Sequence, residues 1–257
     1  MSRIGQAFAR RRSEGGKAFV AFLTAGDPSL ERTVEAAREM ELGGADVLEL
    51  GVPFSDPLAD GPVIHAAGTE ALARGATPRG VMGVCERIAE NVPVVLMIYY
   101  NLIFAAGPKA FALRACAAGA SGVIVPDLPH DEADEVREAC DAEGLALVPL
   151  VAPTTTPERI TQIGAGARGF VYTVSLTGTT GERNQLAPRV RDTVAAVRAS
   201  TDVPVAVGFG ISTADQARAV AEVADGVIVG SRIVRAAGEG GAAAVRALVA
   251  DFAGAVS

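Results

Sequence analysis

The stretch Gly43-Gly44-Ala45-Asp46-Val47-Leu48-Glu49-Leu50-Gly51 decides the fold. It follows an Ala/Glu/Arg-rich segment of helical period, residues 30–42, and passes through paired glycines into a short apolar run. Glycine at a helix C-terminus takes the left-handed conformation and turns the chain into the element that follows. Related phrases recur at Ala118-Gly119-Ala120-Ser121-Gly122, at Gly164-Ala165-Gly166-Ala167-Arg168-Gly169 and at Val223-Ala224-Asp225-Gly226. Each is read as a helix giving way to a strand.

Eight β-rich runs fit this scheme: residues 19–23, 46–50, 94–99, 122–125, 146–150, 169–173, 204–207 and 226–229. They are mostly continuous apolar runs rather than alternating ones, which is the pattern of strands covered on both faces in a parallel sheet. Segments of helical period, such as 131–143 and 214–223, lie between them. Eight strand–helix units predict an α/β fold, a (β/α)8 TIM barrel, with an additional N-terminal helix near residues 2–12 plugging the barrel floor. Such barrels commonly run to about 250 residues. With 257 residues and no linker or low-complexity run, one domain spanning 1–257 is expected. Chemistry in this fold sits at the C-terminal ends of the strands.

Composition narrows the function. Apolar residues make up 49% of the chain, enough for a large core, and the net charge is −7. That charge argues against a nucleic-acid binder, which carries a clustered basic face. The longest strongly apolar stretch, 92–100, is less than half the roughly 20 residues a membrane span requires and contains Pro93. The N-terminus has no apolar signal core, so a cytoplasmic enzyme is expected. The three cysteines, Cys85, Cys116 and Cys140, are far apart in helical stretches and read as small buried residues in a reducing compartment.

The last two strand–helix loops carry glycines: Gly208-Phe209-Gly210-Ile211-Ser212 after strand seven and Gly230-Ser231-Arg232 after strand eight. Glycines let backbone N–H groups approach an anion, and a following helix N-terminus favours negative charge. In this fold phosphate usually binds there. Thr213 stands where a dinucleotide fingerprint has its third glycine, so a Rossmann reading is rejected. A third loop, Ser175-Leu176-Thr177-Gly178-Thr179-Thr180-Gly181, is built to close over a ligand.

Glu49 interrupts an otherwise apolar strand. A carboxylate there is costly unless paired or functional, and desolvation raises its pKa toward that of a group that gives and takes protons. Asp60 ends the loop Pro53-Phe54-Ser55-Asp56-Pro57-Leu58-Ala59-Asp60, where it would face the barrel mouth. The competing readings are a buried ion pair for Glu49 and a helix cap for Asp60. The placement of the lysines argues against Schiff-base chemistry. Lys17 precedes strand one, Lys109 opens a helix, and there are no other lysines. His65 and His130 lie in separate units, so no metal site is expected. What remains is metal-free acid–base catalysis in which the substrate supplies its own electron sink.

The stretches Phe19-Val20-Ala21-Phe22-Leu23-Thr24-Ala25-Gly26-Asp27-Pro28 and Glu49-Leu50-Gly51-Val52-Pro53-Phe54-Ser55-Asp56-Pro57-Leu58-Ala59-Asp60-Gly61-Pro62 resemble the α subunits of tryptophan synthase. So do Tyr172, Thr180-Gly181, the Gly208–Ser212 loop and Val229-Gly230-Ser231, in order along essentially the whole chain. The resemblance implies a lyase of tryptophan biosynthesis that cleaves indole-3-glycerol phosphate to indole and glyceraldehyde 3-phosphate. It implies that Glu49 protonates the indole ring carbon and takes up the side-chain hydroxyl proton, and that Asp60 stabilises positive charge at the indole nitrogen. Phe22, Tyr172, Thr180 and Phe209 match the pocket, with Tyr99 and Ile64 as apolar wall. Gly181, Gly210, Gly230 and Ser231 match the phosphate site. The resemblance further implies a β subunit as partner, in an α2β2 heterotetramer, with pyridoxal phosphate in the β subunit and no cofactor in this chain. Pro53, Phe54, Asp56, Asn101 and Phe104 are the expected contacts with it. Other readings are another phosphate-binding barrel of the tryptophan or histidine pathways, a ligand-holding subunit without catalysis, or a stand-alone indole-releasing lyase.

Overall fold

The apolar runs form strands covered on both sides: all seven residues of Ala18–Thr24 are buried, as are all five of Val47–Gly51. The computed structural model describes residues 2–175, 188–208 and 210–257. The first half of the chain runs α1 (Arg3–Ser13), β1 (Ala18–Thr24), α2 (Leu30–Leu42), β2 (Val47–Gly51), α3 (Pro62–Ala73), α4 (Pro78–Ile88), β3 (Val94–Met97), α5 (Tyr100–Ala106), α6 (Pro108–Ala117) and β4 (Ala120–Ile124). A 3-10 turn at His130–Glu132 leads into α7 (Asp134–Ala142), β5 (Ala146–Leu147) and β6 (Leu150–Val151). Then come α8 (Pro157–Gly166), β7 (Val171–Val174), α9 (Pro188–Arg198), β8 (Val205–Gly208), α10 (Ala214–Ala221), β9 (Gly226–Val229) and α11 (Ser231–Ala255).

The strands pair in parallel in the order β5-β4-β3-β2-β1-β9-β8-β7-β6. The two ends of that order are consecutive pieces of one segment. Val148 N–H donates to Val123 O on the β4 side at 2.8 Å, and Tyr172 N–H of β7 donates to Pro149 O at 2.9 Å. One extended segment therefore bonds both neighbours and the sheet closes, giving the expected barrel of eight staves. The fifth stave, expected as one run over 146–150, is broken in two, with Pro149 and its missing N–H at the break.

Side chains alternate between two layers. Val20, Val47, Val95, Ile124, Val148, Phe170, Tyr172, Ala206 and Ile228 fill the barrel, while Leu23, Leu48, Leu50, Leu96 and Val123 pack outward under the helices. The N-terminal helix closes the floor as expected. Ile4 and Phe8 are buried, and Phe8 stacks on Phe170 with ring centroids 5.6 Å apart. Burying two such side chains contributes about 2–3 kcal/mol each. Asp46 fastens this helix to the sheet, accepting from Arg10 Nη2 at 2.7 Å and from Phe19 N–H at 2.9 Å.

Of the four glycine phrases, Gly44, Gly119 and Gly169 have positive φ, as the helix-to-strand turn requires. Gly226 does not. It begins β9, and a Cβ there would stand 2.8 Å from the Phe8 ring, so glycine serves the close approach of α1. The third strand also ends earlier than expected, at Met97 rather than residue 99, because Tyr99 already caps α5. Among the described residues no helix is long and apolar enough to cross a membrane.

Candidate active site

The inward positions of β2 are Val47, Glu49 and Gly51. Register pairs Glu49 with Phe22 of β1 and Val95 of β3, which places the carboxyl inside the upper barrel. Glu49 is 1% exposed, and among the described residues neither carboxyl oxygen has a hydrogen-bond partner. The ion-pair reading therefore fails. Asp46, three residues earlier and also buried, shows what a structural acid looks like here, with an arginine and a backbone N–H bound to it. Desolvation pushes Glu49 up from 4.5 to about 8, and the nearby Asp60 charge adds to the rise. At neutral pH the group is a protonated acid with no acceptor among the described residues.

Asp60 closes the loop between β2 and α3. It is not the cap of α3, since Gly61 holds that position with no side-chain hydrogen bond. Its Oδ1 instead accepts from the Tyr99 hydroxyl at 2.9 Å, and that hydroxyl accepts from Ala59 N–H at 3.1 Å. Burial raises the Asp60 pKa, while the Tyr99 hydrogen bond and the charge of His65 oppose the rise. Phe22, Thr24, Gly51, Ile64, Met97 and Tyr99 line a narrow cleft with Asp60. A Cβ at Gly51 would stand 2.7 Å from the Phe22 ring, so glycine there gives the ring its place. Thr24 and Met97 were not among the residues singled out from sequence. The signal for Thr24 was parity: it continues the inward positions 20 and 22 of β1, and its buried hydroxyl has no partner among the described residues.

Tyr172 is 4% exposed and belongs to the barrel filling. Burial raises its pKa well above 10, and the charge of Glu49 adds to this, so the phenol forms part of the floor beneath the acid. Gly208 clears space for it, since a Cβ there would meet the hydroxyl at 2.5 Å.

The glycine loops lie side by side. Register joins Ala206 with Gly226 and Val207 with Val227, so Gly210 and Gly230 follow adjacent strands by equal lengths. Gly210 has φ +77°. Gly230 caps α11, and its carbonyl accepts from Ile233 and Val234 N–H. The N–H groups of Ser231, which is exposed, and Arg232 precede the first of these helical bonds. A Cβ at Gly230 would stand 3.3 Å from Phe22, so this loop and the cleft share a wall. Thr180, Gly181 and Phe209 lie outside the described residues.

The expected contact residues divide. Asp56 and Asn101 are exposed and Phe104 is 66% exposed. Phe54 is half-buried and lines the cleft. Pro53 is buried, because its ring packs into the cleft wall beside Phe54 instead of facing out. A larger cavity of about 430 Å³ lies apart from Glu49, between α7, α8 and the loops after β4 and β6. Its arginines are engaged, Arg159 by Asp131 and Arg137 by Asp134. Among the described residues no three His, Cys, Asp or Glu side chains gather as a metal site.

Residues 8–253 match the family described as tryptophan synthase alpha chain. The chain is 52% identical to the tryptophan synthase alpha chain of Gloeobacter violaceus over 236 residues, 91% of this chain and 86% of that one. It is 45% identical to that of Picosynechococcus sp. over 98% of this chain and 97% of the relative. Its fold superposes on tryptophan synthase from M. tuberculosis in the aminoacrylate-bound form with TM-score 0.92 and 36% identity, covering 100% of both chains.

Proposed function

Since the chain belongs to the tryptophan synthase alpha chain family and is a lyase of tryptophan biosynthesis, we propose that Glu49 and Asp60 together cleave indole-3-glycerol phosphate within one barrel domain, residues 1–257. The phosphate rests on the backbone N–H groups around Gly210, Gly230 and Ser231, together with Gly181. The indole ring enters the cleft of Phe22, Ile64 and Tyr99, with Thr180 and Phe209 as further contacts. Protonated Glu49 gives its proton to the ring carbon bearing the side chain. The ring nitrogen becomes cationic, and the Asp60 carboxylate stabilises that charge. Glu49, now a carboxylate, takes the proton of the neighbouring side-chain hydroxyl. The O–H electrons become the aldehyde C=O, the carbon–carbon bond breaks, and its electron pair restores the aromatic ring. Indole and glyceraldehyde 3-phosphate leave, and Glu49 is again protonated.

The observation that carries this reading is a buried acid in the upper barrel, both of whose oxygens lack a hydrogen-bond partner among the described residues. Positioned acid–base groups contribute about 10²–10⁴ in rate. No cofactor enters the cycle, and neither Lys17 nor Lys109 is placed to hold pyridoxal phosphate. That cofactor belongs to the β subunit, the proposed partner in an α2β2 heterotetramer in the cytoplasm. Asp56 on the β2–α3 loop and Asn101 and Phe104 on α5 offer it an exposed surface, beside Leu58 at 93% exposure. Purified chain given indole-3-glycerol phosphate should release indole, and faster with a β subunit added. Absence of indole in both mixtures contradicts the assignment.

A further inference from the structure

Tyr99 reads from sequence as apolar wall, yet its hydroxyl is the working part. Among the described residues it is the one hydrogen-bond donor to the Asp60 carboxylate, at 2.9 Å, and it simultaneously accepts from Ala59 N–H at 3.1 Å. The phenol thus grips the catalytic loop at two successive residues. Its ring is itself held. It stacks on Phe54 of the same loop, with centroids 5.1 Å apart and planes 22° apart. Its backbone is fixed at the start of α5, where Leu102 N–H bonds to the Tyr99 carbonyl and Tyr100 N–H to Asp127 Oδ1 at 2.8 Å.

We propose that Tyr99 is the positioning residue for Asp60: its hydroxyl clamps Oδ1 and the Ala59 amide so that Oδ2 faces the cleft. This rests on the reading that Asp60 acts on substrate. A carboxylate that must meet a developing charge loses rate when free to rotate away, since misplacement by about 1 Å costs on the order of 10²-fold. The same hydrogen bond favours the ionised carboxylate, opposing the rise that burial causes. The groups facing Asp60 are the Tyr99 hydroxyl, His65 of α3 and Glu49 of β2, with Asp127 behind the tyrosine. Tyr99 keeps its proton at all working pH values, because burial and the Asp60 charge push it far up. It is therefore always a donor.

Tyr99→Phe keeps the ring and its stacking but removes the clamp. Its kcat for indole release should fall about tenfold, the worth of a hydrogen bond to a charged group, with KM changed little. The acid limb of the pH–kcat profile should move to higher pH, because Asp60 loses the bond that favours its ionised form. Asp60→Asn, measured alongside, should reduce kcat strongly, and Tyr99→Phe should add nothing in that background. If Asp60→Asn is slow but Tyr99→Phe matches the parent in kcat and profile, the clamp is refuted while the role of Asp60 stands. A slower Tyr99→Phe with an unmoved acid limb also overturns it, reducing Tyr99 to cleft wall. A fully active Asp60→Asn refutes the reading beneath.

Discussion

Glu49 is neutral at pH 7 because burial raises its pKa to about 8, and among the described residues neither of its oxygens has a hydrogen-bond partner. The sequence showed an acid inside an apolar run, which already marked it as paired or functional. It did not show which, because pairing depends on what the opposite staves deliver. Asp46, four positions before the end of the same run, proved to be the paired kind. The distinction has a thermodynamic consequence. Below about pH 4.5 Glu49 is protonated in both folded and unfolded chains. Between there and about 8 the folded chain keeps a proton that the unfolded chain has lost. Stability should fall as pH rises through that window, by up to about 1.4 kcal/mol per unit, and level off above it. Glu49→Gln lacks this slope. Denaturant unfolding should therefore show the variant gaining on the parent steadily across the window. Superimposable pH dependences would mean that Glu49 ionises inside the barrel as it does in water.

At the scale of elements, the loops at strand ends were the most legible feature and the strand ends themselves the least. Helix α2 spans Leu30–Leu42, as its period predicts, and its start is set by Ser29, whose side chain accepts from Arg32 N–H. Strand β3 stops two residues short of expectation because Tyr99 serves α5 and Asp60 instead, a tertiary demand that propensity does not encode. Gly226 looked like a turn glycine and is a clearance for Phe8. The pairing of the loops after β8 and β9 leads to a direct expectation. In Gly230→Asp the new Cβ presses on Phe22 at 3.3 Å, and a carboxylate occupies the helix N-terminus that phosphate should use. Calorimetric titration with glycerol 3-phosphate should give an affinity at least about tenfold lower, a difference of roughly 1.4 kcal/mol. Unchanged affinity would place the phosphate elsewhere.

For the whole molecule, eight apolar runs separated by helical segments were sufficient to expect a barrel, since few other arrangements bury strands on both faces. The closure was not readable in detail. It depends on a fifth stave that hands its hydrogen bonds from β4 to β7 across Val148 and Pro149, a pairing between segments far apart in sequence. The result is a vessel with a sealed floor, where Ile4 and Phe8 exclude water, and a mouth whose acid stands in the dry part just below the rim. Burial keeps the lone carboxyl protonated, and in the proposed mechanism the glycine loops at the edge are what would hold a phosphorylated substrate against it.

The decisive measurement is single-turnover cleavage of indole-3-glycerol phosphate by Glu49→Gln, with binding measured on the same preparation. A folded variant should bind the substrate with near-parental affinity and release indole at least about 10²-fold more slowly. Tight binding with indole formed at the parental rate would show that the proton comes from another group, and that the unpaired acid of β2 is not the catalyst.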